Sequence, residues 1–397
     1  MKVVICGAGI SGLALAHRMR TYGWDVVLLE KAPGPRTQGY MIDFFGAGYD
    51  AAEAMGLLPA LHEVGYRIAE AQYVDGGGRV RASLGFDQFG ATVHHRLLSL
   101  MRPDLEAVLR AQLPAGVDLR FATSTTGIEN GPDGVRVALT DGSTLEADLL
   151  VGADGIHSAV RRLVFGEERR FLRYLGFHVA AYLFRDQVVE AEARDRYAIT
   201  DTAGRQMGFY RLRDGRIATF AVHRTPDPAL PSDVRAAVQA AYGSLGWITP
   251  RALRACPASP EIYYDQIAQI VVPRWSAGRV ALVGDACYAV SPLAGQGASL
   301  GVGGAFVLAE ELDRAPSIEE GLDRYERAFR PVAEEKQRAG RRTARWFLPA
   351  SRLQVRLRRV ALALARLPGL DRVVATSIAG RPTAVVAQRA GRQVHHS

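Results

Sequence analysis

A chain of 397 residues with 48% apolar and 23% charged side chains, 41 Gly and 19 Pro is long enough for two or three domains, and it is too apolar for a disordered chain and too glycine-poor for a collagen-like one. Its three cysteines, Cys6, Cys256 and Cys287, form no C-x-x-C or Cys/His cluster, which argues against a disulfide framework or a thiolate zinc site and leads us to expect a reducing cytoplasm and no metal. The formal charge of +8 is concentrated at the end: from Lys336 onward fourteen Lys and Arg face one acid, Asp371, a net +13 that leaves −5 for residues 1–335.

Lys2 to Cys6 reads as a strand, Gly7-Ala8-Gly9-Ile10-Ser11-Gly12 as a tight turn and Leu13 to Arg20 as a helix; glycines at this spacing make a secretory leader the poorer reading. Gly23 stops the helix, Asp25 to Leu29 is a second strand, and Glu30 stands at its carboxyl end with Lys31 beside it. The pieces match the needs of a bound dinucleotide. Gly7 allows the turn, Gly9 lets backbone approach a pyrophosphate, Gly12 lets helix and strand pack, and the helix N-terminus attracts the anion. Glu30 would accept from the ribose hydroxyls and repel a 2′-phosphate, so the resident nucleotide should be FAD or NAD rather than NADP.

Further along, Ala71 to Ala82, Phe177 to Phe184, Met207 to Leu212 and Ile217 to His223 are strand-prone, with Asp214-Gly215 the strongest hairpin signal, and together they predict an antiparallel sheet. His178, Tyr182 and Tyr210 are substrate-facing candidates if their face of that sheet is the covered one. Ala147 to Val151 leads into Gly152-Ala153-Asp154-Gly155, and Val280 to Val283 leads into Gly284-Asp285, both at strand ends where α/β proteins hold ligands. A loop from Ser291 to Gly297 then opens a helix over Ala298 to Leu312, whose positive end would favour negative charge on a ligand. Gly297-Ala298-Ser299-Leu300-Gly301 matches a nucleophile elbow, with Asp313 or Asp371 and His395 following, but loop rather than strand precedes it, so a hydrolase is the weaker reading. His157 is expected to be a helix-start contact, Cys287 a packed thiol, and Trp247 and Trp346 core or lid aromatics.

The longest apolar run, near Val360 to Ala365, is too short to span a bilayer. Ser351 to Leu367 predicts an amphipathic helix docked on the core through Leu353, Val360, Leu364 and Leu367, with Arg352, Arg356 and Arg359 on its wet face. Without zinc-finger spacing or an aromatic RNP pattern, nucleic-acid binding is not expected.

GAGISG with Glu30, DGIHSAVR from Asp154 to Arg161, and GRVALVGDACYAVSPLAGQG from Gly278 to Gly297 resemble the three motifs of FAD-dependent aromatic hydroxylases related to para-hydroxybenzoate hydroxylase. Through Gly39 to Asp43, Met101 to Leu105 and Tyr288 to Pro292 the chain looks closest to tetracycline destructases and polyketide-tailoring oxygenases, over about residues 1–340. The resemblance implies an α/β fold: a Rossmann-like FAD-binding domain of GR2 type (1–70, 101–168 and 271–335) interrupted by an antiparallel-sheet substrate domain (71–100 and 169–270), with a C-terminal helical bridge or lid at 336–397. It implies that non-covalent FAD is held by Gly7, Gly9, Ile10, Ser11 and Gly12 at the pyrophosphate, by Glu30 and Lys31 at the ribose, and by Arg36 and Arg102 toward the flavin. Asp154 would serve FAD and nicotinamide, Asp285 the ribitol, Pro292 the ring edge, and Gly295, Gly297 and Ala298 backbone donation. Ala298-Ser299 departs from the asparagine usual in relatives and removes a side-chain contact while leaving backbone donors.

The implied activity is NAD(P)H-consuming monooxygenation of an aromatic or polyketide-type molecule by way of a flavin C4a-hydroperoxide, in antibiotic biosynthesis or inactivation, with O2 as co-substrate and NADPH or NADH binding transiently. No catalytic side chain is required, because the flavin carries the chemistry. Rival readings are a flavoprotein using FAD for reduction or cyclisation without oxygen insertion, and a non-catalytic binder of aromatic ligands. A monomer or homodimer is expected. Trp346 and Phe347 would lie near the mouth of the substrate sheet.

Overall fold

The computed structural model describes residues 1–35, 38–86, 90–91, 93–364 and 384–390. Two sheets dominate it. In the first, six strands lie in the order Ser276–Ala277, Val280–Leu282, Leu149–Gly152, Lys2–Cys6, Asp25–Leu29 and Val117–Arg120, all pairs parallel except the antiparallel first one. Val3, Val4, Ile5, Leu149, Leu150, Val151, Ala281 and Leu282 are fully buried. Such unbroken apolar runs are what a parallel sheet covered on both faces demands.

The register aligns Cys6 with both Leu29 and Gly152, and Gly152 with Leu282. Four strand ends therefore emerge side by side. Backbone bonds then lace the loops that leave them: Gly7 N–H to Leu29 O at 2.7 Å, Ala153 N–H to Cys6 O at 2.8 Å and Val283 N–H to Gly152 O at 2.9 Å. The helices Ile10–Thr21 and Gly297–Arg314 pack against each other on this sheet. A Cβ on Gly284 or Gly301 would fall 2.1 or 2.5 Å from Ser11 Oγ, so Ser11 sits where both residues lack side chains. Arg18 and Glu310 close the same helix pair as a buried ion pair at 2.6 Å.

The second sheet runs Tyr263–Ile270, Leu172–Ala181, Ile217–Arg224, Arg205–Arg211, Arg196–Thr202, Glu70–Val74 and Val80–Gly85, with the short Leu183–Phe184 also paired to Ile217–Arg224. The expected antiparallel sheet is present with one correction: Glu70–Val74 runs parallel to Arg196–Thr202, because the chain reaches it from the helix Leu58–Glu63 rather than through a hairpin with that strand. The Ala71 to Ala82 stretch is itself a hairpin around Asp75. Alternation gives this sheet two faces. Ala180, Tyr182, Met207, Phe209 and Ala221 pack against the helices Val234–Tyr242 and Thr249–Arg254. Phe177, Val179 and Val222 pack instead with Leu293 of the third motif, so that opposite face looks toward the first sheet.

A 30-residue helix, Ile318–Phe347, joins the two. Gln337 Nε2 donates to Ile270 O at 2.7 Å and Gln269 Nε2 donates to Gln337 O at 2.9 Å. The next helix, Arg352–Leu364, corrects the predicted docking face. Leu353 is 65% exposed and Val360 57%, whereas Val355, Leu362 and Arg358 are buried. An ion pair described below turns the helix that way. The Leu364 side chain, Leu367, Asp371 and His395 lie outside the described residues, as does the Trp346 side chain. None of the helices among the described residues is long and apolar enough to cross a membrane.

Candidate functional site

The laced strand ends border one groove of about 570 Å³. At one end stand Gly7, Gly9, Ile10 and Ser11 with Glu30 and Lys31; at the other stand Arg102, Asp285, Pro292, Gly295, Gly297 and Ala298, with Asp154 between. Gly12 lies behind the turn, and Arg36 is outside the described residues. The three glycines of the turn do different jobs. A Cβ on Gly7, which has φ +104°, would lie 2.5 Å from Ala153 O, and one on Gly12 would lie 1.8 Å from Gly7 O. Gly9 has nothing nearer than 3.8 Å, so its missing side chain leaves room for a ligand rather than for the protein.

Glu30 is fixed by backbone donors, accepting from Ala8 N–H at 3.0 Å and Ala32 N–H at 2.9 Å. Asp154 Oδ2 accepts from Ala159 and Val160 N–H at the start of helix Ala159–Val164, at 2.7 and 3.1 Å. Its Oδ1 is buried without a protein partner among the described residues, a state that a ligand donor would relieve. Together with the open face of Gly9, this acceptor shows that the residues present fit a dinucleotide.

At the far end Arg102 pairs with Glu106 at 2.8 Å. Burial works against its cation, but Glu106, with Tyr40, Tyr263 and Asp285 behind it, more than offsets that and holds it above its ordinary value. Burial raises the Asp285 carboxyl, and Arg102 opposes the rise. Ser291, which precedes Pro292, adopts φ +110° with Oγ accepting from Leu293 N–H, backbone strain of the kind found where a loop is held for a ligand. Gly297–Arg314 then begins in the groove, its first N–H groups unpaired within the helix. Ser299 lies buried inside that helix, its Oγ accepting from Phe45 N–H, and a 3-10 turn, Pro292–Ala294, precedes it in place of a strand. That is no nucleophile elbow.

Of the substrate-facing candidates, Tyr210 stands on the groove-side face, its hydroxyl accepting from Met41 N–H at 2.6 Å. His178 and Tyr182 point to the other face: Tyr182 donates to Ala252 O in the covering helices and His178 meets Tyr264. For these two the expectation is corrected, because strand parity puts them on the helix-covered face, where His178 packs edge-on against Tyr174, His223 and Tyr264. Reasoning from sequence also missed Tyr40, whose ring centroid is 5.0 Å from that of Phe220 and 5.5 Å from that of Tyr263. The cross-strand contacts of these rings give no signal in a linear reading.

Arg161 was legible only as the last letter of its motif. Fully buried, it donates to Ala286 O, Ile156 O and Glu168, at 2.9, 2.6 and 3.0 Å, and so binds the second motif to the third. Burial lowers its pKa, with Glu168 and Asp154 opposing. Arg161→Ala strands three acceptors, each worth about 1–3 kcal/mol if left dry, and is expected to lower the melting temperature by at least about 5 °C, read by calorimetry. An unchanged melt would show that water replaces the guanidinium.

His157 reaches Glu168 at 3.0 Å and Asp265 at 3.8 Å. Asp265 foremost, then Glu168, pushes its imidazole up to about 9 against burial. A folded pKa above the unfolded one adds stability that is complete below about 6.5 and disappears as pH rises through about 9. His157→Gln should therefore flatten the denaturant midpoint between those pH values, and a midpoint with the parent's slope would show that this bridge does not form.

Likeness to known proteins bears on the site. A family model described as FAD binding domain matches residues 1–339. An uncharacterised protein of Mycobacterium tuberculosis is 35% identical over 343 residues, covering 84% of this chain and 91% of that one. A flavin-dependent monooxygenase from an unknown prokaryotic organism is 31% identical over 350 residues, covering 86% and 88%. The crystal structure of the tetracycline destructase Tet(55) superimposes with TM-score 0.79 at 26% identity, covering 95% of this chain and 97% of that one.

Proposed function

Since this chain belongs to the FAD binding domain family and is an FAD-dependent monooxygenase, we propose that it draws electrons from NADPH or NADH and places one atom of dioxygen on an aromatic or polyketide-type ring. The observation that carries this reading is the junction of groove and sheet: the Arg102–Asp285 end meets Tyr40, Phe220 and Tyr263. The tetracycline destructase, which superimposes over nearly its whole length, supports the polyketide side of the reading. Bound FAD supplies hydride acceptance and activation of dioxygen.

The protein's own part is to bind, orient and exclude water. Glu30 would accept from the adenosine ribose, Gly9 would admit the pyrophosphate, and Arg102 with the first turn of Gly297–Arg314 would face the electron-rich end of the cofactor. Tyr40, Phe220 and Tyr263 present ring faces and edges suited to a flat, electron-rich substrate. The helix Ile318–Phe347 and the segment after it seal the sheet, with Arg224 donating twice to Leu348 O, at 2.9 and 2.7 Å. Exclusion of water keeps reducing equivalents from being lost to peroxide.

Purified protein is expected to release FAD on acid precipitation, and a panel of polycyclic phenols should contain members that stimulate NAD(P)H oxidation and acquire label from isotopic dioxygen. Stimulated oxidation with no label in any product would move the assignment to a flavoprotein that does not insert oxygen.

A further inference from the structure

The helix Arg352–Leu364 is docked by its charges and not by its row of leucines. Arg358 and Arg359 both hold Asp201, and Val355 and Leu362 are buried on the same face. With about 3.6 residues per turn, Leu353, Leu357 and Val360 fall at i, i+4 and i+7 on the opposite face. They are 65%, 58% and 57% exposed, a stripe about 10 Å long. Single exposed leucines are ordinary, but a contiguous row rimmed by charge marks an interaction surface.

The rim is cationic. Arg352 and Arg356 follow one flank of the stripe, both exposed and neither in an ion pair among the described residues. Gln354 and Ala361, on the other flank, carry no charge. The helix holds four arginines and no acid, and the carboxylate that answers two of them, Asp201, is buried on the far side. The edge strand Val80–Gly85, against which the helix packs, adds Val80, 49% exposed between the exposed Arg79 and Arg81. Asp75, the acid beside that strand, is taken by Arg81 at 2.6 Å.

We propose that this stripe seats the protein on an anionic membrane surface. The helix would lie in the plane of the interface, with Leu353, Leu357 and Val360 at the boundary of headgroups and acyl chains and Arg352 and Arg356 on lipid phosphates. Its 13 residues are too few to cross a bilayer, so the contact is peripheral. A second copy of the chain fits the same face less well. An isologous contact through the stripe sets Arg352 and Arg356 of one copy close to those of the other, and neither helix has a carboxylate to answer them. A lipid surface meets both features at once, hydrocarbon for the stripe and phosphate for the rim.

The test uses the full FAD-loaded chain and two vesicle preparations, phosphatidylcholine alone and phosphatidylcholine mixed equally with phosphatidylglycerol, read by co-sedimentation. Wild-type protein is expected to partition at least about tenfold more strongly onto the anionic vesicles and to come off as salt is raised. Leu353→Gln with Leu357→Gln, both at exposed positions, should keep FAD and the melting temperature while lowering that partition at least about tenfold. Arg352→Gln with Arg356→Gln should narrow the preference for the anionic vesicles at least about fivefold. The three native cysteines are buried, so Leu357→Cys takes a polarity-sensitive dye at one place, and its emission should move to the blue on anionic vesicles.

Absence of binding, equal binding to both preparations, leucine or arginine variants that behave like the parent, or an unmoved dye overturns the proposal. A wild-type dimer that Leu353→Gln with Leu357→Gln converts to monomer in the analytical ultracentrifuge assigns the stripe to a second copy and overturns it as well. No substrate or electron donor enters these measurements, so their outcome is independent of the monooxygenase reading.

Discussion

Glu30→Arg is expected to yield a protein that purifies without FAD and binds added FAD at least about a hundredfold more weakly than the parent. Glu30 is 9% exposed at the end of a central strand, and both of its oxygens are fixed by backbone N–H groups, Ala8 on one side and Ala32 on the other. Those bonds hold the glycine turn and the ribose side of the groove in one geometry. The adenosine ribose would donate its hydroxyls to the carboxylate so placed; hydrogen bonds to a charged group are worth about 1.5–3 kcal/mol each, so loss of two from the ribose accounts for roughly 3–6 kcal/mol, or a hundredfold and more in affinity. The arginine adds a cation facing unsatisfied donors. Glu30→Gln, which keeps the shape and one acceptor, should fall between, near tenfold. Titration followed by flavin fluorescence, with circular dichroism to confirm folding, reads the series. A yellow Glu30→Arg protein with parental affinity would place the nucleotide elsewhere.

That first turn was legible because its sequence signal is local: three glycines, a strand before, a helix after and an acid at a fixed distance all fall within thirty residues, although the unit packs on distant segments such as Gly297–Arg314. The large sheet was legible as strands and turns but not as faces. Shifting parity by one residue exchanges the helix-covered side for the groove side, and nothing in the spacing of His178, Tyr182 and Tyr210 fixes it. The partners that decide it, Ala252 for Tyr182 and Met41 for Tyr210, are 70 and 169 residues away. Asp43 stands within a stretch that suggested the resemblance to known families, yet its hydrogen-bond partner across the two-stranded ribbon of Met41–Phe45 and Leu97–Met101, Ser99, is 56 residues away. The terminal helix failed in an instructive way. A stripe of leucines was expected to choose its buried face, and an ion pair chose another.

That ion pair carries the second large effect. Arg358 and the Asp201 side chain are each 1% exposed; Arg358 donates to Asp201 Oδ2 and, at 2.6 Å, to Phe347 O, and its guanidinium lies 4.4 Å from the centroid of Tyr73. Arg359 takes the other carboxylate oxygen at 2.7 Å. By strand parity Asp201 shares the groove-side face with Tyr197, so the helix Arg352–Leu364 is anchored on the side of the sheet that looks toward the first sheet. Among its described side chains the buried apolar ones are Val355 and Leu362, at about 1.5–3 kcal/mol each. Leaving a buried guanidinium without its carboxylate costs about 3–5 kcal/mol, comparable with everything apolar that holds the helix. Asp201→Ala should therefore undock it. The expected signs are rapid proteolysis near the exposed Ala350–Ser351 joint, retained FAD, and a fall of at least about threefold in product formed per NAD(P)H consumed, as water reaches the groove-side face of the sheet. Arg358→Met added to Asp201→Ala removes the stranded charge along with its partner and should restore both protease resistance and coupling. If the helix is released in Asp201→Ala while coupling stays at the parental value, the helix is a packing element and the seal lies with Ile318–Phe347 alone.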